Sequence, residues 1–203
     1  MSQFIITLDI QSYWHIGSGE EGGSYADALV LKNAAGLPYV PGKSLKGLYR
    51  DGFEKAVAAD WFASKLLDLL FGSEGTAGIQ QQGVIQFSSA TLSPAETNYF
   101  TSESGKSAKK SLFRVIQSTK IGDKGVAEEG SFRAVEVAVP MQLNACVSLN
   151  TSHPNYQQVL TLFGDNVTQA LDRVSRLIFS LGAKRQRGYG EVNINVTSTE
   201  EVA

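Results

Sequence analysis

The stretch "LGAKRQRGYGEV", residues 181–192, sets the cations Lys184, Arg185 and Arg187 among glycines at 182, 188 and 190. Glycines let a main chain approach an anion closely and turn its N–H groups toward it, and Arg and Lys add charge-assisted hydrogen bonds. These residue types at this spacing suit a phosphate. They equally suit a helix that ends in a glycine cap, with solvated cations answering the negative end of its dipole. A second cationic group lies in "PYVPGKSLKGLYR", where Lys43, Ser44 and Lys46 cluster at a helix start. Helix starts carry unpaired N–H groups and favour anions, so cations there either face solvent or help to hold an external anion. The spacing is not that of a Walker A loop. Alone, it reads as a capped amphipathic helix.

The elements that must position these groups follow from periodicity. "FIITLDI" alternates, Phe4, Ile6, Leu8 and Ile10 against Ile5, Thr7 and Asp9, which predicts a half-buried strand. "HIGSGEEGGSYAD" is a Gly/Ser-rich loop, and Ala28–Leu31 a short apolar strand. Leu45, Leu48, Tyr49, Gly52, Phe53 and Ala56 form one helical stripe, with Ser44 as the expected N-cap. A second short helix, "WFASKLLDLLFG", ends at Gly72, a loop spans 73–83, and "VIQFSSATL" reads as a strand. Residues 93–112 are polar and Ser/Lys-rich, which predicts a mobile excursion outside the core. "FRVIQSTKI" and "SFRAVEVAVPMQLNACVSLN" read as two strands of a long hairpin around the charged tip "GDKGVAEEG". One helical stretch over 155–181 carries the stripe Val167, Ala170, Leu171, Val174, Leu177, Ile178 and Leu181, and "EVNINVT" is a terminal strand. The order β-α-β-β-α-β predicts an α+β, ferredoxin-like sheet with helices on one face. We expect a single domain over 1–203 with insertions at about 11–41 and 93–134.

Composition narrows the classes. With 42% hydrophobic residues the chain can bury a core, and its formal net charge of −2 counts against indiscriminate nucleic-acid binding. A local basic track is still allowed, because a groove potential depends on where the cations lie. The lone Cys146 excludes an intrachain disulfide framework, and its apolar neighbours predict a buried structural thiol. "MSQFIITLDI" lacks the basic start of a signal peptide, and no apolar run approaches the roughly 20 residues of a membrane span. A soluble, cytoplasmic protein without membrane contact is expected.

Taken together and in order, "PYVPGKSLKGLYRDGFE" followed by "LFG", and the terminal "LGAKRQRGYGEV", resemble the RAMP (repeat-associated mysterious protein) superfamily of CRISPR systems. The first is similar to that family's Pro-Gly-Ser-Ser-Leu-Lys-Gly-x-x-Arg helix start, the second to its glycine-rich loop. "HIGSG", "ADALVLKNAAGLPYVPG" and "TKIGDKGVAEEGSFRAVEVAVP" extend the resemblance to the backbone subunit of type III effector complexes. Two departures stand out. Lys43 stands where the family often has Ser, and Gly122 occupies an Ile-Asp-Arg-like position of the arm, with Asp123 displaced.

The resemblance implies an RRM-related palm with a β-hairpin thumb at roughly Gln117–Arg133, copies of which stack along a guide CRISPR RNA beside other RAMP subunits. It implies that guide phosphates meet Lys43, Ser44, Lys46 and Arg50, and the loop carrying Gly182, Lys184, Arg185, Arg187, Gly188, Tyr189 and Gly190. Lys120 and Arg133 on the thumb, and His15, would add RNA contacts. It further implies that complementary target RNA is cut at Asp27, the acidic residue of an Asp-x-x-Val pattern completed by Val30, with a divalent metal, Mg²⁺ being the expected ion. One carboxylate can hold a hydrated cation against a phosphate. Asp27 can also simply cap a turn, and Glu20 and Glu21 compete for the metal. A catalytically silent scaffold is one alternative. A metal-independent guide-processing nuclease, with His15 as general base and His153 as its possible partner, is another.

Overall fold

The computed structural model describes residues 2–73, 82–123, 125–164 and 166–198, so most of the expected 73–83 loop lies outside the described residues. Strand β1 (Ser2–Ile10) buries Phe4, Ile6, Leu8 and Ile10 as their alternation requires. Its neighbours are antiparallel β5 (Met141–Leu149) on one side and antiparallel β6 (Val192–Ser198) on the other. Leu8 therefore sits between Leu143 and Ile194. Strand β2 (Ile85–Phe87) closes the far side of β5, giving the order β2-β5-β1-β6. Helix α1 (Gly42–Ala58) links β1 to β2, while α4 (Tyr156–Phe163) and α5 (Val167–Ser175) link β5 to β6. These two interleaved units are the ferredoxin-like arrangement.

Helix α1 buries Leu45, Tyr49, Phe53 and Ala56, and α5 buries Ala170, Leu171 and Val174. A β-carbon at Gly52 would press on Val174, so the glycine in the α1 stripe sets how closely the two helices pack. Helix α2 (Lys65–Phe71) contributes Phe71 to an aromatic cluster with Phe53, Phe62 and Phe163, and it stops at Gly72, φ 87°. The second sheet is a two-stranded ribbon of β3 (Phe113–Ser118) and β4 (Arg133–Ala138), whose tip spans 119–132. It matches the expected thumb.

Six expectations are corrected. "SFRAVEVAVPMQLNACVSLN" is two strands in different sheets, because Pro140 has no N–H with which to continue a ladder. The 155–181 stretch is two helices, broken at Gly164, φ 74°. Ser44 is not the N-cap: α1 begins at Gly42 behind Pro41, and Gly42 N–H donates to Ser89 Oγ at 3.2 Å. Residues 28–31 form isolated bridges, Ala28 to Val135 and Val30 to Gly17, rather than a named strand. Residues 93–112 hold a capped helix, α3 (Pro94–Thr101), whose capping box joins Ser93 and Glu96, and a 3₁₀ turn that buries Leu112. Cys146 also differs from expectation, being half-buried on the sheet face away from the helices, in line with Asn144.

Candidate nucleic-acid interface

The glycine loop packs beyond the Ile10 end of β1. There the chain runs as a strap beside the glycine loop, bonded rung by rung. Gln11 N–H donates to Glu191 O (2.9 Å), Gly190 N–H to Tyr13 O (2.8 Å) and Ala183 N–H to His15 O (2.8 Å). The glycines differ in why they are needed. At Gly182 and Gly190 φ is 77° and 72°, and a β-carbon would strike the His15 and Leu181 carbonyls respectively. At Gly188, φ 77°, a β-carbon would meet open space. Gly182 thus lets the loop sit against the strap, Gly190 lets it close on Leu181, and Gly188 alone turns in the open. Between them Lys184 takes a left-handed conformation, φ 60°, ahead of a 3₁₀ turn over Arg185–Arg187. Tyr189 is half-buried.

Two clefts take part of their lining from this loop. The larger, about 430 Å³, is lined by His15, Ser44, Leu48, Asp51, Gly182 and Arg185. His15 is buried, and its Nδ1 lies 2.7 Å from Glu136 O, so that nitrogen carries the proton and Nε2 is left as the acceptor in the neutral ring. The second cleft, about 310 Å³, lies where the thumb tip joins its ribbon, between Lys120, Arg133 and Arg187, with Ser118 and Ser131. Lys184 joins this group electrostatically: burial, then the guanidinium charges of Arg187 and Arg133, hold its ammonium below the ordinary lysine pKa. Lys120 is also paired with Glu128 at the thumb tip, Nζ to Oε1 2.9 Å.

Not every expected contact joins these clefts. At 100° per residue, Lys43, Lys46 and Arg50 share a stripe of α1 roughly 120° from the Ser44–Gly47–Leu48–Asp51 face that lines the large cleft. Arg50 pairs with Glu54 at 3.3 Å, and burial followed by the Arg50 charge lowers the Lys46 pKa. They form a separate basic stripe. The two histidines are not brought together either. His15 follows the Ile10/Met141 end of the β1–β5 pair, and His153 follows the Ser2/Leu149 end, eight residue steps or roughly 26 Å away along the strand. His153 is buried in its own turn, where Nδ1 accepts from Asn155 N–H at 3.1 Å.

Asp27 does not cap its turn. The turn closes by Tyr25 N–H to Gly22 O (3.1 Å) and Gly22 N–H to Ala26 O (2.8 Å), while Asp27 docks on β4. Its N–H donates to Ala134 O (2.8 Å), and its Oδ2 accepts from Ala134 N–H (2.7 Å). The residue is exposed, and no protein group among the described residues bonds Oδ1. No group of three or more His, Cys, Asp or Glu among the described residues could cage a metal. Asp27 Oδ1 suits an ion that takes its remaining ligands from phosphate and water, the usual habit of Mg²⁺.

The residue that sequence reasoning missed is Glu136. It is 2% exposed, yet its carboxylate accepts from Val30 N–H (2.9 Å, to Oε2) and Lys32 Nζ (2.9 Å, to Oε1). Burial and then the nearby Glu136 charge raise the Tyr25 pKa. The Glu136 N–H donates to Ala28 O (3.0 Å), and the Glu136 carbonyl faces His15. A lone Glu at an inward position of an apolar strand, "RAVEVA", was the available signal: a buried carboxylate needs partners.

The RAMP superfamily model matches residues 7–193, nearly the whole chain. The chain belongs to the RAMP superfamily. Two solved structures share its fold. A type III-B Cmr-beta complex bound to cognate target RNA, seen by cryo-electron microscopy, contains a chain 10% identical with TM-score 0.72. A Cmr-beta complex in its apo state contains one 13% identical with TM-score 0.64. In both, the match covers 100% of this RAMP chain and 99% of the other. No curated protein sequence matches. No described helix of this RAMP protein is long and apolar enough to cross a membrane.

Proposed function

We propose that this RAMP protein is a backbone subunit of a type III CRISPR effector complex that binds guide RNA and cuts complementary target RNA at Asp27. The observation that carries this reading is the junction at β4. One strand borders the cationic cleft through Arg133 and holds Asp27 on its open edge through Ala134. Lys184, Arg185 and Arg187 with the N–H groups of the left-handed loop receive guide phosphates, and the basic stripe of α1 extends the track. Base pairing with the guide would supply sequence specificity.

The Ala134 N–H fixes Oδ2 of Asp27, which orients Oδ1 outward. A bound divalent ion would neutralise charge on the phosphate at Oδ1. The chain's own work is to hold one target linkage beside that oxygen. In-line attack by the adjacent 2′-hydroxyl then breaks the bond to the 5′-oxygen, leaving a 2′,3′-cyclic phosphate and a 5′-hydroxyl. The hydroxyl proton leaves to solvent, and the 5′-oxygen takes one from solvent.

A silent scaffold is the second reading, favoured by the structural task Asp27 already performs at Ala134. Asp27→Asn separates the two, since the amide oxygen can still accept from Ala134 N–H. In the assembled complex with a defined guide and Mg²⁺, we expect the Asn variant to assemble and bind target normally while cleavage is lost. Cutting at the wild-type rate would leave the subunit a scaffold with respect to this residue.

A further inference from the structure

The thumb ribbon has two faces, and only one carries the cleft described above. Residues alternate along β4, so Arg133 and Glu136 point to opposite sides. On the Glu136 side lies a separate open pocket of about 310 Å³, lined by Tyr25, Lys32, Gly36, Lys109, Lys110 and Phe113 along with Glu136 itself. Three segments outside the ferredoxin-like core converge here: the 25–36 loop, the 3₁₀ turn at Ala108–Leu112 and the start of β3. Lys32 is locked, with Nζ bonded to Glu136 and 4.3 Å above the Phe113 ring. Lys109 is anchored but uncompensated, its Nζ donating to Ala35 O at 3.0 Å. Lys110 is exposed and has no ion-pair partner among the described residues. One pair thus cancels, and two positive charges face the pocket beside Tyr25, which is 53% exposed.

Positive charge beside an open aromatic ring is the arrangement that holds single-stranded nucleic acid, the ring stacking a base and the cations taking the phosphate. Tyr25 lies two residues from Asp27, on the loop that β4 holds in register. We propose that this pocket is a second RNA subsite, which holds a nucleotide of the target strand next to the linkage at Asp27. Tyr25 stacks the base, and Lys109 and Lys110 take the phosphate. The subsite rests on the RNA-guided reading above, and it assigns a role to the 93–112 segment that the core fold does not require.

The test uses the assembled complex loaded with a defined guide, and it follows guide retention and target affinity separately. Tyr25→Ala should weaken target binding roughly 5- to 150-fold. Lys110→Glu should reduce the salt slope of target binding by about one phosphate's share. Neither should change guide retention. Unaltered target affinity and salt slope in both variants would overturn the subsite, as would loss of guide rather than target. Lysine acylation of the wild-type complex supplies a readout free of any folding defect. Protection of Lys109 and Lys110 that appears only when target RNA is added supports the subsite. Protection already complete without target would show a neighbouring protein in the pocket and overturn it. A wild-type complex that holds no guide at all would instead sink the RNA-guided reading itself.

Discussion

The two ends of the thumb are built differently. At its base, β4 is held on its open edge by Asp27 and Ala28 through backbone bonds, and through the buried carboxylate of Glu136 to Val30 and Lys32. At its tip, the bonds among the described residues of 119–132 are local: Glu128 N–H to Lys120 O, Gly122 N–H to Val126 O, and the exposed pair Lys120–Glu128. Ile121, Val126 and Phe132 stand exposed there. Many non-local bonds make a base that holds Asp27 in one place; few make a tip that can adapt to what it meets.

Breaking the base should have the largest effect. Glu136→Ala leaves Val30 N–H and the Lys32 ammonium without their acceptor, which we expect to cost about 3 kcal/mol in urea unfolding. Glu136→Gln keeps the acceptor but not the charge and should lose roughly half as much. Equal and negligible losses for both would show that the carboxylate does not hold the junction. The glycine loop sharpens the same contrast. Gly182→Ala combines a left-handed φ with a clash against the His15 carbonyl, whereas Gly188→Ala bears only the φ, about 1–2 kcal/mol. Thermal unfolding should therefore rank Gly182→Ala clearly below Gly188→Ala, and identical midpoints would mean that the loop is not packed on the strap. At the tip, Lys120→Ala removes an exposed ion pair and should change stability by no more than about 1 kcal/mol. A larger loss would make the tip as rigid as the base.

The fold was legible where periodicity and burial agree. The alternation of β1 and β6 and the stripes of α1 and α5 each face the core as their spacing demands. Local chemistry defeated the reading elsewhere. Pro140 splits an apolar run into strands of two sheets, and Gly164 breaks a helix whose stripe continues across it. For the 93–112 segment, Ser93 and Glu96 spelled a capping box that its polar composition obscured. The glycine loop and thumb were legible as cationic segments. What one chain of letters does not show is which cations share a cleft. Strand β4 decides that, placing Arg133 near Lys184 and Arg187, while α1 turns Lys43, Lys46 and Arg50 away. Glu136 stayed hidden because its partners lie more than a hundred residues away in sequence.

The smallest effect tests whether the cationic cleft is one electrostatic unit. The fold disfavours charged Lys184 chiefly through burial and then through Arg187 and Arg133. In the interval between the lowered pKa and the ordinary lysine value the native protein therefore binds fewer protons than the unfolded chain. This group makes stability rise with pH across that interval. Replacing Arg187 with Ala removes one repulsion, so the Lys184 pKa should move up without reaching the ordinary value, because burial persists. Phosphate in the cleft acts in the same direction and more strongly, since an anion favours the ammonium. RNA binding should thus take up protons in that interval and weaken as pH rises through it. NMR titration of the lysine side chain, with and without a short RNA, reads both shifts. A Lys184 value indifferent to Arg187 and to RNA would separate this lysine from the cleft and leave Arg133 and Arg187 to hold the phosphate by themselves.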